Sequence, residues 1–286
     1  RRIAFIKFGQ YRRKSDRARV QRFLCTSCGK HFSKATFDPC FRQLKRHVNQ
    51  DVFNHLSSGV SQRRLSYLLN LNRKTIKRKF IFLGFRSLLR LRQFNLKFPK
   101  AHHVEFDDLE TFEHTKCKPL SIGLAVCADT QRILGVSVAS MPASGPLAKI
   151  SRRKYGFRPD HRPQKTKELL ASIAPLVHPS AQITTDQKTL YPTWLKPYFP
   201  EASHTAVKGR RAHTTGHGEL KRIGWDPLFS LNHTCAMLRA NICRLIRKTW
   251  CTTKKMACLY KHLILYAYYH NQEIRRQEEK RQAAAH

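Results

Sequence analysis

The sequence predicts an α/β fold, with a mixed five-stranded sheet and flanking helices, preceded by a small β-type segment and a helical region. Three observations predict it. Three strand-like runs follow one another between residues 103 and 140. A helix, a strand, a short helix, a strand and a long helix with an apolar stripe then follow in that order. Helical patterns rich in basic residues lie on both sides of this region.

The composition indicates a polyanion as partner. The chain has 286 residues and a formal net charge of +37, from 55 Lys plus Arg against 18 Asp plus Glu. Such an excess favours phosphate contacts and counterion release. No stretch of the sequence is long and apolar enough to span a bilayer, so nucleic acid is preferred over a membrane surface. The odd count of nine cysteines argues against a disulfide framework and for a reducing cytosol.

Residues 1–40 contain two basic strand-like runs and the stretch CTSCGKHFS. Its Cys25-x-x-Cys28 spacing followed by glycine is typical of a knuckle in which two thiolates bind one zinc ion. His31 and Cys40 can supply the other two ligands. A second Cys-x-x-Cys upstream of Arg1 is the alternative that we favour, because the segment reads like the second half of a zinc ribbon. Two ordinary thiols are the simpler interpretation.

Residues 41–98 have helical periodicity. A helix is predicted over 41–58, ended by Gly59, and a short helix follows the N-cap Ser61. After a turn near 70–72 a second helix runs over 73–83, and a basic connector leads to a boundary at Pro99. The second helix carries basic residues expected to contact DNA: Arg73, Lys74, Lys77 and Arg78. Two short helices with this charge suit a helix-turn-helix, the alternative being a helical hairpin with a solvated basic face.

Acidic residues concentrate in the stretch HVEFDDLETF and its end. Five of the 18 acidic residues fall within one nine-residue window: Glu105, Asp107, Asp108, Glu110 and Glu113. In so basic a chain, this concentration suggests that the carboxylates hold a divalent cation. A strand with a solvated acidic face is the alternative.

The remaining elements are predicted from residue 119 onward. Strands PLSIGLAVCA and RILGVSVAS are followed by a loop from Pro142 to Pro163 and a helix at Thr166–Ala174. The strand AQITTD ends at Asp186, a short helix covers 189–198, and the strand SHTAVKG leads to a loop over 210–226. A long helix over 227–250 and a basic helix within 251–286 complete the chain.

Four stretches together resemble a DDE transposase of a bacterial insertion sequence, of the kind with an N-terminal zinc ribbon and helix-turn-helix. They are RFLCTSCGKHF, VEFDDLETF, TTDQKTLYPTW followed by HTAVKG, and MLRANICRLIRKTWCTTK. The resemblance implies a ribonuclease H-like catalytic domain over 99–250. It also implies a partial zinc-ribbon-like segment over 1–40, a helix-turn-helix domain over 41–98, and a C-terminal helix with a basic tail over 251–286.

The resemblance implies metal-dependent phosphodiester hydrolysis and strand transfer at the ends of an insertion sequence. The cofactors it implies are Mg²⁺ or Mn²⁺, together with a structural Zn²⁺. Its partner is double-stranded DNA, both terminal inverted repeats and target, and two ends call for a homo-oligomer. A location in the bacterial cytoplasm, near the nucleoid, follows.

The catalytic residues are implied by position in the resemblance. Asp107 corresponds to the first metal ligand, with Asp108 as its rival, and Asp186 to the second. Asn232 falls where the family has a glutamate in the long helix. Two residues are alternatives for this third position: Asp226 and Glu219. Further basic residues expected to contact DNA are Lys208, Arg239, Arg247 and Lys248.

Asn232 also supports a different interpretation. An asparagine ligates through its carbonyl oxygen but brings no charge and cannot act as a base. The chain is then a catalytically inactive, transposase-derived DNA-binding protein or regulator. A basic RNA-binding protein is a weaker alternative, because the ordered acids have no role in it.

Overall fold

The computed structural model describes residues 4–208, 226–246 and 251–284. The chain divides into two compact units, Arg1–Phe53 and Asn54–His286. The division falls at residue 53, and the boundaries expected at residues 40, 98 and 250 stay predictions.

The first unit contains a small antiparallel sheet of three strands in the order β1-β2-β3. These are β1 (Phe5–Arg12), β2 (Arg19–Cys25) and β3 (His31–Ser33), followed by a 3₁₀ turn at Lys34–Phe37. Three aromatic rings, those of Phe5, Phe23 and Phe32, pack together across the strands with centroids 5.3–5.8 Å apart. The two predicted strand-like runs are therefore present.

Helix α1 spans only Asn49–Leu56, so the helix predicted to begin at residue 41 was wrong at its start. Arg42 and Lys45 have φ angles of 58° and 51°, in the left-handed region that an α-helix excludes. A 3₁₀ turn at Arg46–Val48 precedes α1.

Helices α2 (Gln62–Leu68) and α3 (Arg73–Asn95) form the predicted helix pair. The side chain of Ser61 accepts a hydrogen bond from Arg64 N, which confirms Ser61 as N-cap. Helix α3 is much longer than predicted, because the supposed connector after residue 83 is its second half. This half buries Gly84, Ser87 and Leu91, which its basic composition conceals.

The second unit is built on a sheet of order β6-β5-β4-β7-β8. Its strands are β4 (Ala101–Phe112), β5 (Pro119–Cys127), β6 (Ile133–Ser140), β7 (Val177–Asp186) and β8 (Ser203–Val207). Strands β4, β5 and β6 are antiparallel, whereas β7 lies parallel to β4 and β8 parallel to β7. The prediction of an α/β fold with a mixed five-stranded sheet and flanking helices is confirmed.

Helices connect and cover this sheet. They are α4 (Leu147–Tyr155), α5 (Arg162–Ile173), α6 (Tyr191–Leu195), α7 (Phe229–Asn241) and α8 (Met256–Ala284). Two expectations were wrong: the loop over 142–163 contains α4, and the long helix predicted to reach residue 250 ends at Asn241. Ile242 leaves the helical conformation, with φ −111° and ψ 101°, and its fully buried side chain packs in the core.

Two hydrophobic cores lie on the two faces of the sheet. Apolar residues of α3, α7 and α8 pack on one face, and those of α5 and α6 on the other. Strand β4 contributes Leu109 to the first core and Val104 and Phe106 to the second. Because side chains alternate along a strand, Glu105 and Asp107 share the α7 face with Leu109.

Candidate active site

Two aspartates meet at the centre of the sheet. In the parallel pair β4–β7, Phe106 lies opposite Thr185, and both belong to the α5 side of the sheet. The next residue of each strand is an aspartate, so Asp107 and Asp186 are neighbours on the α7 side. The two acids that the resemblance implies as metal ligands are thus brought together, from positions 79 residues apart in the sequence.

Asp107 is held in a setting that disfavours its negative charge. Burial raises the pKa of Asp107 to about 6, and the charges of Asp186 and Asp108 add to this rise. Hydrogen bonds from Asp108 N at 2.6 Å and from the hydroxyl of Tyr191 at 3.2 Å oppose it. A bound cation would relieve the repulsion between these carboxylates.

Asp108 points to the other face of the strand and forms an ion pair there. Its Oδ2 lies 2.6 Å from Nζ of Lys188, in an ion pair whose side chains are 12% and 23% exposed. The ammonium also lies over the rings of Tyr191 and Trp194, 4.8 and 5.2 Å from their centroids. These contacts favour Asp107 over its rival Asp108 as the ligand of a cation.

The segment after β7 supports the site. Asp186 Oδ1 accepts a hydrogen bond from Lys188 N at 3.2 Å, which closes the turn towards α6. The fully buried Thr185 has its Oγ1 2.9 Å from Nε2 of His204. Lys188 and Tyr191 were not predicted as site residues. Their only signal in the sequence is their place directly after Asp186.

Glu105 joins the strand to the start of α7 and was not predicted to do so. It is 6% exposed, and its Oε2 accepts a hydrogen bond from Leu231 N at 2.6 Å. Burial raises the pKa of Glu105, opposed by the backbone hydrogen bonds of Leu231 and Ser230. A carboxylate at a helix N-terminus also interacts favourably with the helix dipole. Glu105 therefore fixes α7 over the aspartate pair.

The proposed third position lies at the exposed start of α7. Asn232 is exposed, and its Nδ2 donates to Asp226 Oδ2 at 2.8 Å. The other oxygen of Asp226 accepts from Leu228 N at 3.0 Å. The structure thus pairs Asn232 with its rival Asp226. The other rival, Glu219, lies outside the described residues.

The thiol of Cys235, one turn further along α7, lies close enough to Asp107 to interact with its charge. Burial raises the pKa of Cys235 to about 11, and the charge of Asp107 adds to that effect. Arg239 follows one turn later, and its positive charge lowers the same pKa. Arg239 also lines a groove along the end of β4 together with Glu110 and Arg244. Since Lys116, Arg239 and Arg244 outnumber Glu110 among its described lining residues, this groove is positively charged.

The basic residues predicted to contact DNA are mostly on the surface. A groove at the turn between α2 and α3 is lined by Arg63, Arg73, Lys74 and Lys77. Arg78 and Lys208 are exposed elsewhere on the second unit. The remaining two, Arg247 and Lys248, lie outside the described residues.

Cys25 and Cys28 form a compact knuckle between β2 and β3. Gly29 has a φ of 67° and donates its N–H to Cys25 O at 2.9 Å. Hydrogen bonds from the Ser27 backbone and from Cys28 lower the pKa of Cys25. His31 packs against Phe8 with ring centroids 4.5 Å apart, and Cys40 accepts a hydrogen bond from Asn49.

Over residues 4–208, 226–246 and 251–284, no cluster of three or more His, Cys, Asp or Glu side chains is placed to hold a metal ion. For zinc, the knuckle brings the side chains of Cys25 and Cys28 within hydrogen-bonding reach of each other, and zinc binding by them stays a prediction. For Mg²⁺ or Mn²⁺, the two aspartates fit as a pair of oxygen ligands, because their repulsion calls for a cation.

Comparisons with known proteins give no assignment. The chain matches no model of a known protein family, and no curated protein matches it significantly. In the part of the chain that the structure describes, none of the helices combines the length and the apolar character needed to cross a membrane. The function is therefore inferred from the aspartate pair and from the charge of the chain.

Proposed function

We propose that this protein is a metal-dependent enzyme that cuts and joins DNA, a DDE-type transposase with a ribonuclease H-like catalytic domain. The observation that carries the proposal is the pairing of Asp107 and Asp186 on neighbouring parallel strands. Burial and the nearby charge of Asp186 raise the pKa of Asp107 to about 6, so a cation bound beside the two carboxylates would relieve an unfavourable negative charge. An α/β sheet with helices on both faces is compatible with this domain type.

Asp107 and Asp186 would hold Mg²⁺ or Mn²⁺ between them. Bound there, the metal supplies activation of the attacking water or DNA 3′-hydroxyl and stabilisation of the leaving oxygen. Tyr191 donates to Asp107 and fixes the rotamer of this carboxylate. Glu105 holds α7 in place beside it. We propose Asn232 as the third ligand, with Asp226 and Glu219 as alternatives.

The charge of the chain supports DNA as the partner. The net charge of +37 and the basic groove at Arg63, Arg73, Lys74 and Lys77 suit a phosphate backbone. We extend the proposal to a helix-turn-helix formed by α2 and α3, a zinc-binding segment at Cys25 and Cys28, and a homo-oligomer acting on two DNA ends. A bacterial cytoplasmic location near the nucleoid belongs to the same proposal.

The test is cleavage of labelled duplex DNA that carries the inverted repeats flanking the gene, with Mn²⁺. Wild type is expected to cleave, and Asp107→Asn and Asp186→Asn are expected to lose more than about 100-fold in rate while still binding the duplex. Asp129→Asn is the matched control, because Asp129 is a 54% exposed aspartate on the turn after β5. Normal cleavage by both site variants would show that the site is elsewhere.

A non-catalytic DNA-binding protein is the second candidate, favoured by Asn232. Its side chain is exposed and bonded to Asp226, and it brings no charge to the aspartate pair. Asn232→Asp separates the two candidates in the same assay. Cleavage by wild type supports the enzyme. Cleavage by Asn232→Asp alone identifies a copy that has lost its chemistry at this position.

A further inference from the structure

Two thiols lie close together in the segment between α7 and α8. Cys243 lies in the turn after α7, and Cys251 precedes α8. Their Sγ atoms are 3.5 Å apart. A disulfide bond is about 2.05 Å long, so the two sulfur atoms need to approach by only about 1.5 Å to be joined.

The two thiols differ in the way that disulfide formation requires. Cys243 is 6% exposed, whereas Cys251 is half-buried. The hydrogen bond between the sulfur atoms lowers the pKa of Cys251 to about 6, and the positive charges of Arg244 and Lys254 add to this. The same hydrogen bond and burial raise the pKa of Cys243. Cys251 is therefore the nucleophile of the pair and Cys243 its resolving partner.

Both thiols line one groove of about 560 Å³, which gives a small oxidant access to them. Cys258 lines the same groove and offers a matched comparison. The other titratable groups that line the groove are a set of six basic side chains and a histidine: Arg63, Arg73, Lys77, Arg244, Lys254, Lys255 and His262. This charge favours a thiolate over a thiol, because none of the described residues that line the groove is acidic.

The histidine of this groove, His262, adds no positive charge of its own. It is fully buried, its Nε2 lies 2.8 Å from Leu56 O, and its Nδ1 accepts from Arg244 Nε at 3.2 Å. Burial lowers the pKa of His262 to about 3, with the charge of Arg244 adding to the effect, so the ring is neutral. Arg244 is thereby held beside the thiol pair.

We propose that Cys243 and Cys251 are a redox-modification site, which forms a reversible disulfide with a peroxide as oxidant. The Cys251 thiolate attacks one oxygen of hydrogen peroxide, the O–O bond breaks, and the leaving hydroxide takes a proton to become water. The Cys243 sulfur then attacks the resulting sulfenic acid, and the S–S bond forms as a second water leaves. Two thiols are oxidised by two electrons, peroxide is reduced, and a dithiol reverses the reaction.

The test is peptide mapping of the full chain after hydrogen peroxide treatment, digested with trypsin without reduction. Trypsin separates Cys243 on residues 240–244, Cys251 on residues 249–254 and Cys258 on residues 256–261. The expected product links the first two peptides with loss of two hydrogens, and dithiothreitol removes the link. The knuckle cysteines share one peptide, residues 23–30, so their oxidation is read separately.

Two variants and a pH series complete the experiment. Cys251→Ser should abolish the link, and Cys258→Ser should leave it intact. The rate of linkage should be about tenfold slower at pH 5 than at pH 7, because the Cys251 thiolate is the attacking species. A link that involves Cys258 instead, or peroxide treatment that leaves residues 240–244 and 249–254 unlinked, would overturn the proposal. None of these results depends on DNA cleavage.

Discussion

Replacing Asp107 by asparagine should stabilise the protein at neutral pH, although it should abolish the proposed chemistry. Asp107 is the carboxylate whose ionisation the fold disfavours most clearly, through burial first and the charge of Asp186 second. Asparagine has nearly the same shape, and its Oδ1 can still accept the hydrogen bonds from Asp108 N and Tyr191. The variant therefore removes the charge and little else.

The magnitude of the stabilisation by Asp107→Asn follows from the pKa of Asp107. The pKa of Asp107 rises from 3.8 to about 6. Each pH unit corresponds to about 1.4 kcal/mol, so ionisation costs the folded state up to about 3 kcal/mol at pH 7.5. The pKa of about 6 already includes the hydrogen bonds from Asp108 N and Tyr191, so their strength is not subtracted again. A stabilisation of up to about 3 kcal/mol corresponds to up to about 6–12 °C in melting temperature.

The assay is thermal unfolding of wild type, Asp107→Asn and the control Asp129→Asn from pH 4 to pH 7.5, in EDTA. A folded-state pKa above the unfolded value makes wild type gain stability as the pH falls from about 6 towards 3.8. Asp107→Asn should lack this gain, so the melting temperatures of the two proteins should converge at pH 4. Equal stability at pH 7.5, with the same pH dependence in both proteins, would refute the reasoning.

Three further changes test the packing around the site by urea unfolding. Glu105→Ala should cost about 1–3 kcal/mol, because Leu231 N loses its buried acceptor at 2.6 Å; a cost near zero would remove the positioning role of Glu105. Gly84→Ala should destabilise despite a helix-propensity gain of about 1 kcal/mol, since its Cβ would lie 2.7 Å from Lys261 Cβ; a more stable variant would show that α3 and α8 are not so close. Asn271→Ala should cost about 2–4 kcal/mol, because Ile133 N loses its acceptor at 2.9 Å; an unchanged urea midpoint would contradict that bond.

The sheet could be predicted because its signals are local. The runs that form β4, β5 and β6 are short, apolar and separated by turn residues, and the following helix and strand alternate as a parallel crossover requires. The helical ends could not be predicted, because tertiary contacts set them. The second half of α3 is basic in sequence yet packs Leu91 in the core. Likewise, α7 ends where Ile242 turns into the core instead of continuing the helical stripe.

The site was predictable only in part. Asp107 and Asp186 were predicted from the positions that the resemblance gives its metal ligands, and the structure brings them together on neighbouring parallel strands. The roles of Glu105 and Lys188 arise from contacts 126 and 80 residues apart in the chain, which no local pattern encodes. Asn232 was placed by resemblance alone, and its hydrogen bond to Asp226 is a contact that the sequence did not indicate.

Mn²⁺ binding is the measurement that tests the aspartate pair most directly. Free Mn²⁺ would be followed by electron paramagnetic resonance as the full chain is titrated, with its duplex DNA present, for wild type, Asp107→Asn, Asp186→Asn and Asp129→Asn. The account predicts that wild type and Asp129→Asn sequester Mn²⁺ and that both site variants bind it at least about tenfold more weakly. Equal Mn²⁺ binding by all four proteins would contradict the assignment of Asp107 and Asp186 as the metal site.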